Sequence, residues 1–337
     1  MKAKFVVLSL AVLLLVAAAQ AQLQVKGFLS FDYVKGQSQS SNPNGTFENA
    51  GGGLFFFGTL AKSFDYNLEV QYRSVTTMEL EEAWVGIRSS DVFHLKLGLY
   101  LVPFGIYNAA SRPYQTLFVQ TPVPVANLYP RSWRDLGVLA QGRYDFFTYS
   151  IYLGNGLQEG MELQDSQQFQ DNNKNKGVGG RVGFFLSQSF EVGFSSYRGK
   201  YDSANTRALS LWDADVSWKT EGFTVLYEYA KADLDNPAGY SQGEARGYYA
   251  FLSLTLTDFS PWASYQTMKY ADPFHGPGFE PEVSPGAGIS SSLSRWAVGL
   301  VYYASPTILF KFEYDFNSSG DSNLKDDVFS AQVAWQF

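Results

Sequence analysis

The residues best able to do chemistry in this 337-residue chain are concentrated between positions 103 and 133. These 31 residues hold five of the thirteen prolines, six aromatics, Arg112 and Arg131, and no Asp, Glu or Lys. Arginine keeps its proton at any ordinary pH, so two guanidiniums on a proline-stiffened stretch act by field and not by proton transfer. The chemistry to expect is attraction and ordering of anions. Connections this long are uncommon and usually functional. The expectation is a loop folded into a lumen and narrowing it, with Tyr107, Arg112, Tyr114, Tyr129 and Arg131 at the constriction. A flap packed on an outer rim is the alternative.

Catalytic constellations are poor by comparison. There is no Cys, which excludes disulfides, thiolate clusters and a thiol nucleophile. His94 and His275 are the two histidines. His94 falls near a turn with Asp91 close in sequence and reads as structural. His275 sits in the run Asp272 to Gly278 with no serine at a nucleophile spacing. Asp171-Asn172-Asn173 and Asp321-Ser322-Asn323 with Asp326-Asp327 are oxygen-rich but lack the spaced ligands of a calcium loop. No enzyme activity, metal or cofactor is expected, and an outer-membrane hydrolase is the remote alternative.

The elements that must position the loop are strands. In Thr307 to Asn317, Ile308, Phe310, Phe312, Tyr314 and Phe316 alternate with Lys311, Glu313, Asp315 and Asn317. Period two with charge confined to one face is a strand pattern, because a helix would scatter those charges. Val328 to Phe337 alternates likewise and ends on Trp335 and Phe337. Sixteen such segments are read at about 23–34, 49–61, 66–75, 79–89, 93–102, 134–143, 147–154, 176–187, 190–199, 208–219, 222–232, 244–257, 259–270, 292–304, 307–317 and 325–337. Their connections alternate between short turns and longer loops. An even number of antiparallel strands can close into a ring, which removes every unpaired edge, as a bilayer requires. The predicted fold class is all-β, a sixteen-stranded antiparallel transmembrane β-barrel with an inward-folded third extracellular loop. A fourteen-strand barrel or a soluble β-sandwich is the runner-up.

Alternation also assigns the charges. Glu69, Gln71 and Arg73, then Glu82, Trp84 and Arg88, are expected to face the lumen, as are Lys96, Asp135, Gln141 and Arg143. Arg73, Arg88, Lys96, Arg143 and Arg181 would form a basic track; Asp213, Asp215, Glu228, Glu313 and Asp315 would form an acidic wall opposite. Alternatively, the cations pair with neighbouring carboxylates and stiffen the wall.

The first 21 residues have the plan of a secretory signal: Lys2 and Lys4, an apolar run from Phe5 to Val16, then Ala19-Gln20-Ala21. Residues 22–337 would be the barrel domain. Without Lys2 and Lys4 the chain has 23 basic against 32 acidic residues, a net of −9, which argues against nucleic-acid binding.

Several ordered motifs carry a family resemblance. They are Leu80-Glu81-Glu82-Ala83-Trp84-Val85, the run from Lys96 through Pro103-Phe104-Gly105, Arg134-Asp135-Leu136-Gly137-Val138, and Gly154-Asn155-Gly156. Over about residues 66–156 and the last strand, the chain resembles the phosphate-selective porin O/P family. The resemblance implies an outer-membrane homotrimer with periplasmic termini that passes small hydrophilic solutes. Lipid, lipopolysaccharide and the barrel-insertion machinery would be its partners, the last reading Trp335 and Phe337. By position it makes Arg112 and Arg131 constriction residues, and Lys96 and Arg143 wall residues. No lysine lies between Lys96 and Lys174, where phosphate-binding members place a lysine cluster, so the implied anion preference is mild. A plugged structural or adhesin-type barrel is the competing function.

Overall fold

The computed structural model describes residues 23–74, 77–160, 162–238, 242–271, 292–319 and 325–337. The expected signal segment, His275 and Asp321-Ser322-Asn323 lie outside the described residues, as does the side chain of Arg73.

Sixteen strands form in chain order: β1 (Gln24–Gly36), β2 (Thr46–Ala61), β3 (Phe64–Ser74), β4 (Thr77–Ser90), β5 (Phe93–Leu101), β6 (Arg134–Tyr144), β7 (Phe147–Gly154) and β8 (Gly177–Ser187). They continue with β9 (Phe190–Lys200), β10 (Ala208–Lys219), β11 (Phe223–Leu234), β12 (Gly243–Leu254), β13 (Phe259–Ala271), β14 (Ser292–Ser305), β15 (Ile308–Ser319) and β16 (Val328–Gln336). Each pairs antiparallel with its chain neighbours, and β1 pairs with β16, so the sheet is a closed barrel. One short helix, α1 (Val123–Leu128), lies within the long connection after β5.

The ring closes at Phe337. Gly27 donates its N–H to the Phe337 carbonyl at 2.8 Å, and Phe337 donates back to the Gly27 carbonyl at 2.9 Å. The Phe337 ring lies over Gly27, where a Cβ would stand 2.6 Å from it, so only glycine fits beneath. Trp335 lies beside it, tilted, at 5.2 Å between ring centroids.

Alternation sorts the two faces as the sequence implies. On β15, Phe310, Phe312 and Phe316 are exposed on the outside, while Lys311, Glu313 and Asp315 are buried within. A barrel in lipid solvates its outer aromatics with acyl chains, so their exposure is not a defect.

The interior differs from expectation. Its wall on β10 to β14 is not mainly polar: Leu209, Leu211, Ala230, Phe251, Met268 and Val301 are buried there. Against them lie Phe104, Phe118, Val125, Leu128, Tyr129 and Trp133 of the long connection, including residues of α1. The barrel therefore encloses an apolar core of its own, and part of the inner face is dry.

A second difference comes from a β-bulge. Between β3 and β4 the register runs Glu69 to Glu82 and then Val70 to Leu80, leaving Glu81 as the extra residue. Such an insertion shifts the alternation of everything beyond it. Glu81, which alternation puts outside, is buried and pairs with Arg134.

Replacing Phe337 by Ala should weaken the β1–β16 seam by removing the ring over Gly27 and the contact with Trp335. The expected cost is about 1 kcal/mol, near half the value of a fully buried aromatic side chain, because the Phe337 ring is 52% exposed. Urea midpoints of refolded barrel, read by the fast-migrating unboiled band, check it; an unchanged midpoint would show that the ring adds nothing to closure.

Candidate functional site

The connection from Val102 to Trp133 leaves β5 and returns to β6 through a stitched neck. Val102 donates to the Trp133 carbonyl at 2.8 Å. The Asn108 amide donates to the Val102 carbonyl at 2.8 Å and the Trp133 carbonyl at 3.2 Å, while its oxygen accepts from Trp133 N–H at 2.8 Å. One asparagine thus ties both stems, and nothing in its composition singled it out beforehand.

Past the neck the backbone is captured by side chains from the inner wall. Glu228 of β11 accepts from the N–H groups of Ile106 at 3.1 Å and Tyr107 at 3.0 Å. It also accepts from the Tyr129 hydroxyl at 2.6 Å and the Tyr249 hydroxyl at 3.1 Å. Gly105 makes this approach possible: its φ is +61°, and a Cβ there would lie 2.3 Å from the Glu228 carboxylate. Glu313 of β15 accepts from Val119 N–H and, at 3.1 Å, from Gln120 N–H. Gln266 of β13 accepts from the N–H of Val123, the first residue of α1, at 2.9 Å. Lys311 of β15 donates to the carbonyls of Pro113 and Phe118. The loop therefore lies across the inside of the barrel, its polar backbone satisfied by the wall as burial demands.

These contacts correct the acidic-wall expectation. Asp213, Asp215, Glu228, Glu313 and Asp315 do face inward, but all five are buried. Glu228 and Glu313 hold the loop. Asp215 pairs with Arg181, which also approaches Glu191 at 3.4 Å. Asp315 lies 3.5 Å from Arg295. They are covered, so they present no charged surface to a passing solute.

The five loop residues fare differently from one another. Tyr107 and Tyr129 are buried in the apolar core. Tyr114 is half-buried against Phe28, 5.3 Å between ring centroids. Arg112 is half-buried; its Nε donates to Glu69 at 2.9 Å, its Nη2 donates to the other Glu69 oxygen, and it approaches Glu82 at 3.3 Å. Burial opposes the Arg112 charge, but the Glu69 hydrogen bond and field prevail and hold its pKa above the ordinary guanidinium value. Arg131 alone of the five is exposed. A cationic pair of loop arginines is therefore not what forms: one is neutralised by the wall. Beside the loop, against β1 to β3, is a cavity of about 370 Å³ whose lining includes Asp32, Asn49, Gln71, Arg112, Arg131 and Gln332.

The basic track is likewise thinned. Arg181 is bound to Asp215, and the Arg73 side chain lies outside the described residues. Arg88, Lys96 and Arg143 lie in the short-turn half of β4, β5 and β6. Lys96 stands 4.4 Å above the Trp84 ring and Arg143 4.5 Å above Phe185. His94 bonds Asp65 at 2.9 Å and meets Arg88 at 3.1 Å, so its partner is Asp65 across the sheet and not Asp91.

The motif residues prove to be cross-links. Asp135 accepts from Leu136, Asn155 and Gly156 N–H groups at 2.8, 2.9 and 3.0 Å, joining β6 to the loop after β7. Arg134 reaches back to Glu81 at 3.1 Å and Glu79 at 3.0 Å on β4.

A closed antiparallel sheet with an apolar aromatic exterior and a loop lodged within it defines a transmembrane β-barrel of the outer-membrane kind. A family model described as Gram-negative porin matches residues 9–322, and the chain belongs to that family. It lies in the outer membrane. A curated "Uncharacterized protein" of Aquifex aeolicus (strain VF5) is 24% identical over 203 residues, covering 54% of this chain and 47% of that protein. The chain thus spans about half the length of that relative. Among solved structures, the in-vitro folded OmpT of Vibrio cholerae in its trimer form superposes with a TM-score of 0.67 at 12% identity, covering 94% of this chain and 99% of that one. The anion-selective porin from Comamonas acidovorans gives 0.68 at 10% identity, covering 94% and 100%. At such identities the likeness is one of fold.

Replacing Arg112 by Ala should cost about 3–5 kcal/mol, because Glu69 is wholly buried and loses its counter-charge. Adding Glu69→Gln should restore part of the loss. Urea midpoints of wild type, single and double variants check this; a single variant as stable as wild type would mean the pair does not hold the loop.

Proposed function

We propose that the protein is a diffusion pore for small hydrophilic solutes with a mild preference for anions. The observation that carries this reading is Arg131, exposed on the loop beside the polar cavity of about 370 Å³. Arg88, Lys96 and Arg143 add positive charge toward the short-turn mouth. A fixed charge at a narrow, poorly screened point weighs more than one at an open mouth. The loop is then the constriction, with Arg131 as its acting charge and Arg112 as a brace. The phosphate-selective resemblance is carried by motifs whose residues here join strands and aim the loop, which supports shared architecture more than a shared phosphate site. A homotrimer is in keeping with the trimer form of the Vibrio cholerae relative, and an anion preference with the Comamonas acidovorans one. Periplasmic termini follow if the short turns face the periplasm, as in barrels generally.

A second reading, a plugged structural barrel, has its own support in the apolar core that the loop makes with β10 to β14. Conductance separates the two: purified protein in planar bilayers passes ions if the loop only narrows the lumen, and passes none if it seals it.

Replacing Arg131 by Glu changes one local charge by two units while leaving the Arg112–Glu69 brace intact. The reversal potential in a salt gradient should move toward cation preference. The shift should be largest in dilute salt, where the screening length is about 30 Å at 0.01 M against about 3 Å at 1 M. An unchanged reversal potential would remove Arg131 from the conduction path.

A further inference from the structure

Against the short-turn ends of β10 to β14 the lumen holds a second cavity, of about 240 Å³. Its lining shares only Tyr107 with that of the polar cavity beside Arg131, so the loop divides the two. The wall of this cavity changes character with depth. Lys219 of β10 is in register with Thr224 of β11, and Thr224 with Ser253 of β12. By parity all three face inward, as do Asp215, Glu228 and Tyr249 on the same strands. Each lies at or next to the short-turn end of its strand. One step deeper, Leu226 of β11 is in register with Phe251 of β12. A polar rim thus borders an apolar floor.

The loop supplies the other side. The Phe118 ring lies 4.9 Å from Phe251 between centroids and 5.9 Å from Tyr249, edge to face with the latter. The Tyr249 hydroxyl is tied to Glu228 at 3.1 Å, which fixes its ring. The apolar end of the cavity is therefore a preformed aromatic slot, and no side chain has to move to make it.

The rim carries groups that the fold itself does not use. Lys219 is the one charged residue among the described residues of the lining, and no Asp or Glu faces it there. Thr224, Ser253 and Ser260 add hydroxyls. Among the described residues, none of these four side chains has a hydrogen-bond or ion-pair partner in the protein. Ser253 and Ser260 are nonetheless only 2% exposed. Buried hydroxyls ordinarily bond to something, so donors aimed into a cavity mark what the cavity can hold. Two residues of strand, about 7 Å, separate the Lys219 row from the Leu226 row. That is the span of one ring bearing one carboxylate.

We propose that this cavity binds a small aromatic carboxylate of the benzoate class. The ring enters the slot between Phe118, Phe251 and Leu226, and the carboxylate meets Lys219 with the hydroxyls of Thr224 and Ser253. The volume suits a single ring, being below the about 300–1,000 Å³ of pockets for larger ligands. Inorganic phosphate fits the cavity poorly: some of its oxygens would face the apolar floor without donors, at a high desolvation cost. An uncharged ring would fill the slot but leave Lys219 unused. Lys219 and Thr255 are exposed at the short-turn mouth. A ligand therefore reaches the site without passing the loop, and binding does not depend on the barrel conducting.

The test is calorimetry on the whole purified protein in mild detergent, with the heat of each probe into detergent alone subtracted. The probes are benzoate, benzyl alcohol (the ring without the charge), and acetate and inorganic phosphate (charge without the ring). Wild type should bind benzoate saturably and each of the others at least about tenfold more weakly, since tenfold is the 1.4 kcal/mol at the low end for a hydrogen bond to a charged group. Lys219→Gln should bring benzoate down to the level of benzyl alcohol and leave benzyl alcohol unchanged, and Lys219→Arg should retain benzoate. Lys62→Gln, the same charge change at the β2–β3 turn, should alter nothing. Absence of saturable benzoate binding by wild type would overturn the proposal without any variant. Equal affinity for benzoate and phosphate, or equal loss in Lys219→Gln and Lys62→Gln, would overturn it too. Bilayer conductance is read separately: lost benzoate binding with normal conductance leaves the pore reading standing, and benzoate bound by a barrel that does not conduct refutes only that reading.

Discussion

The rest of this molecule depends on one requirement: a polypeptide buried inside a barrel must have its backbone polar groups satisfied. A 31-residue loop lodged against an apolar wall cannot rely on water for its N–H and C=O groups. Three wall side chains take the load. Glu228 receives two consecutive N–H groups near the neck, Glu313 receives two near the far end, and Gln266 receives the one that opens α1. Lys311 does the complementary task for two carbonyls. Carboxyl groups suit this because their two oxygens can accept from several donors at once. Buried charge in this lumen is thus first a means of holding chain, and only what remains uncovered can act on a solute.

The sixteen strands were legible because a bilayer enforces strict alternation. With lipid on one side and a different medium on the other, β15 can be read face by face, and the structure agrees at Phe310, Lys311, Phe312 and Glu313. The same rule fails where the backbone inserts a residue. Glu81 is one such case, and its burial against Arg134 was hidden because a bulge keeps the period of two on either side and shifts only its phase. The candidate site was legible only as a location. Alternation says that Glu228 and Glu313 face inward; it cannot say whether water or a loop covers them. That difference is decided by contacts more than 120 and 190 residues apart in sequence, as with Tyr107 to Glu228 and Val119 to Glu313. Asn108, which closes the neck, gave no signal, since one amide in a loop looks like any other.

Motifs and mechanism also separate here. Among the residues that made the chain look like a phosphate-selective porin are Glu81, Arg134, Asp135, Asn155, Gly156 and the Pro103-Phe104-Gly105 turn, beside Lys96, which lies over the Trp84 ring. Asp135 gathers three N–H groups from two elements, Arg134 locks β6 to β4, and Gly105 lets the backbone touch Glu228. Each sets where a strand or loop sits; none is an exposed cation. Sequence likeness of this kind therefore transmits the scaffold, and Arg131, which the proposed pore makes its acting charge, lies outside the motifs.

Covered and uncovered charge follow one logic on both faces of the sheet. Inside, Arg112 of the loop and Arg181 of β8 are matched by Glu69 and Asp215, because an unmatched ion away from water costs more than any single contact returns. Arg131, in contact with solvent, bears no such constraint. Outside, the middle of the barrel shows aromatic and aliphatic residues, while Lys231, Arg246 and Lys269 stand at the long-loop ends of β11 to β13. In each direction, charge stays unmatched where a polar phase can reach it. The places where this wall can act on something other than itself are therefore the places where its charges are left over.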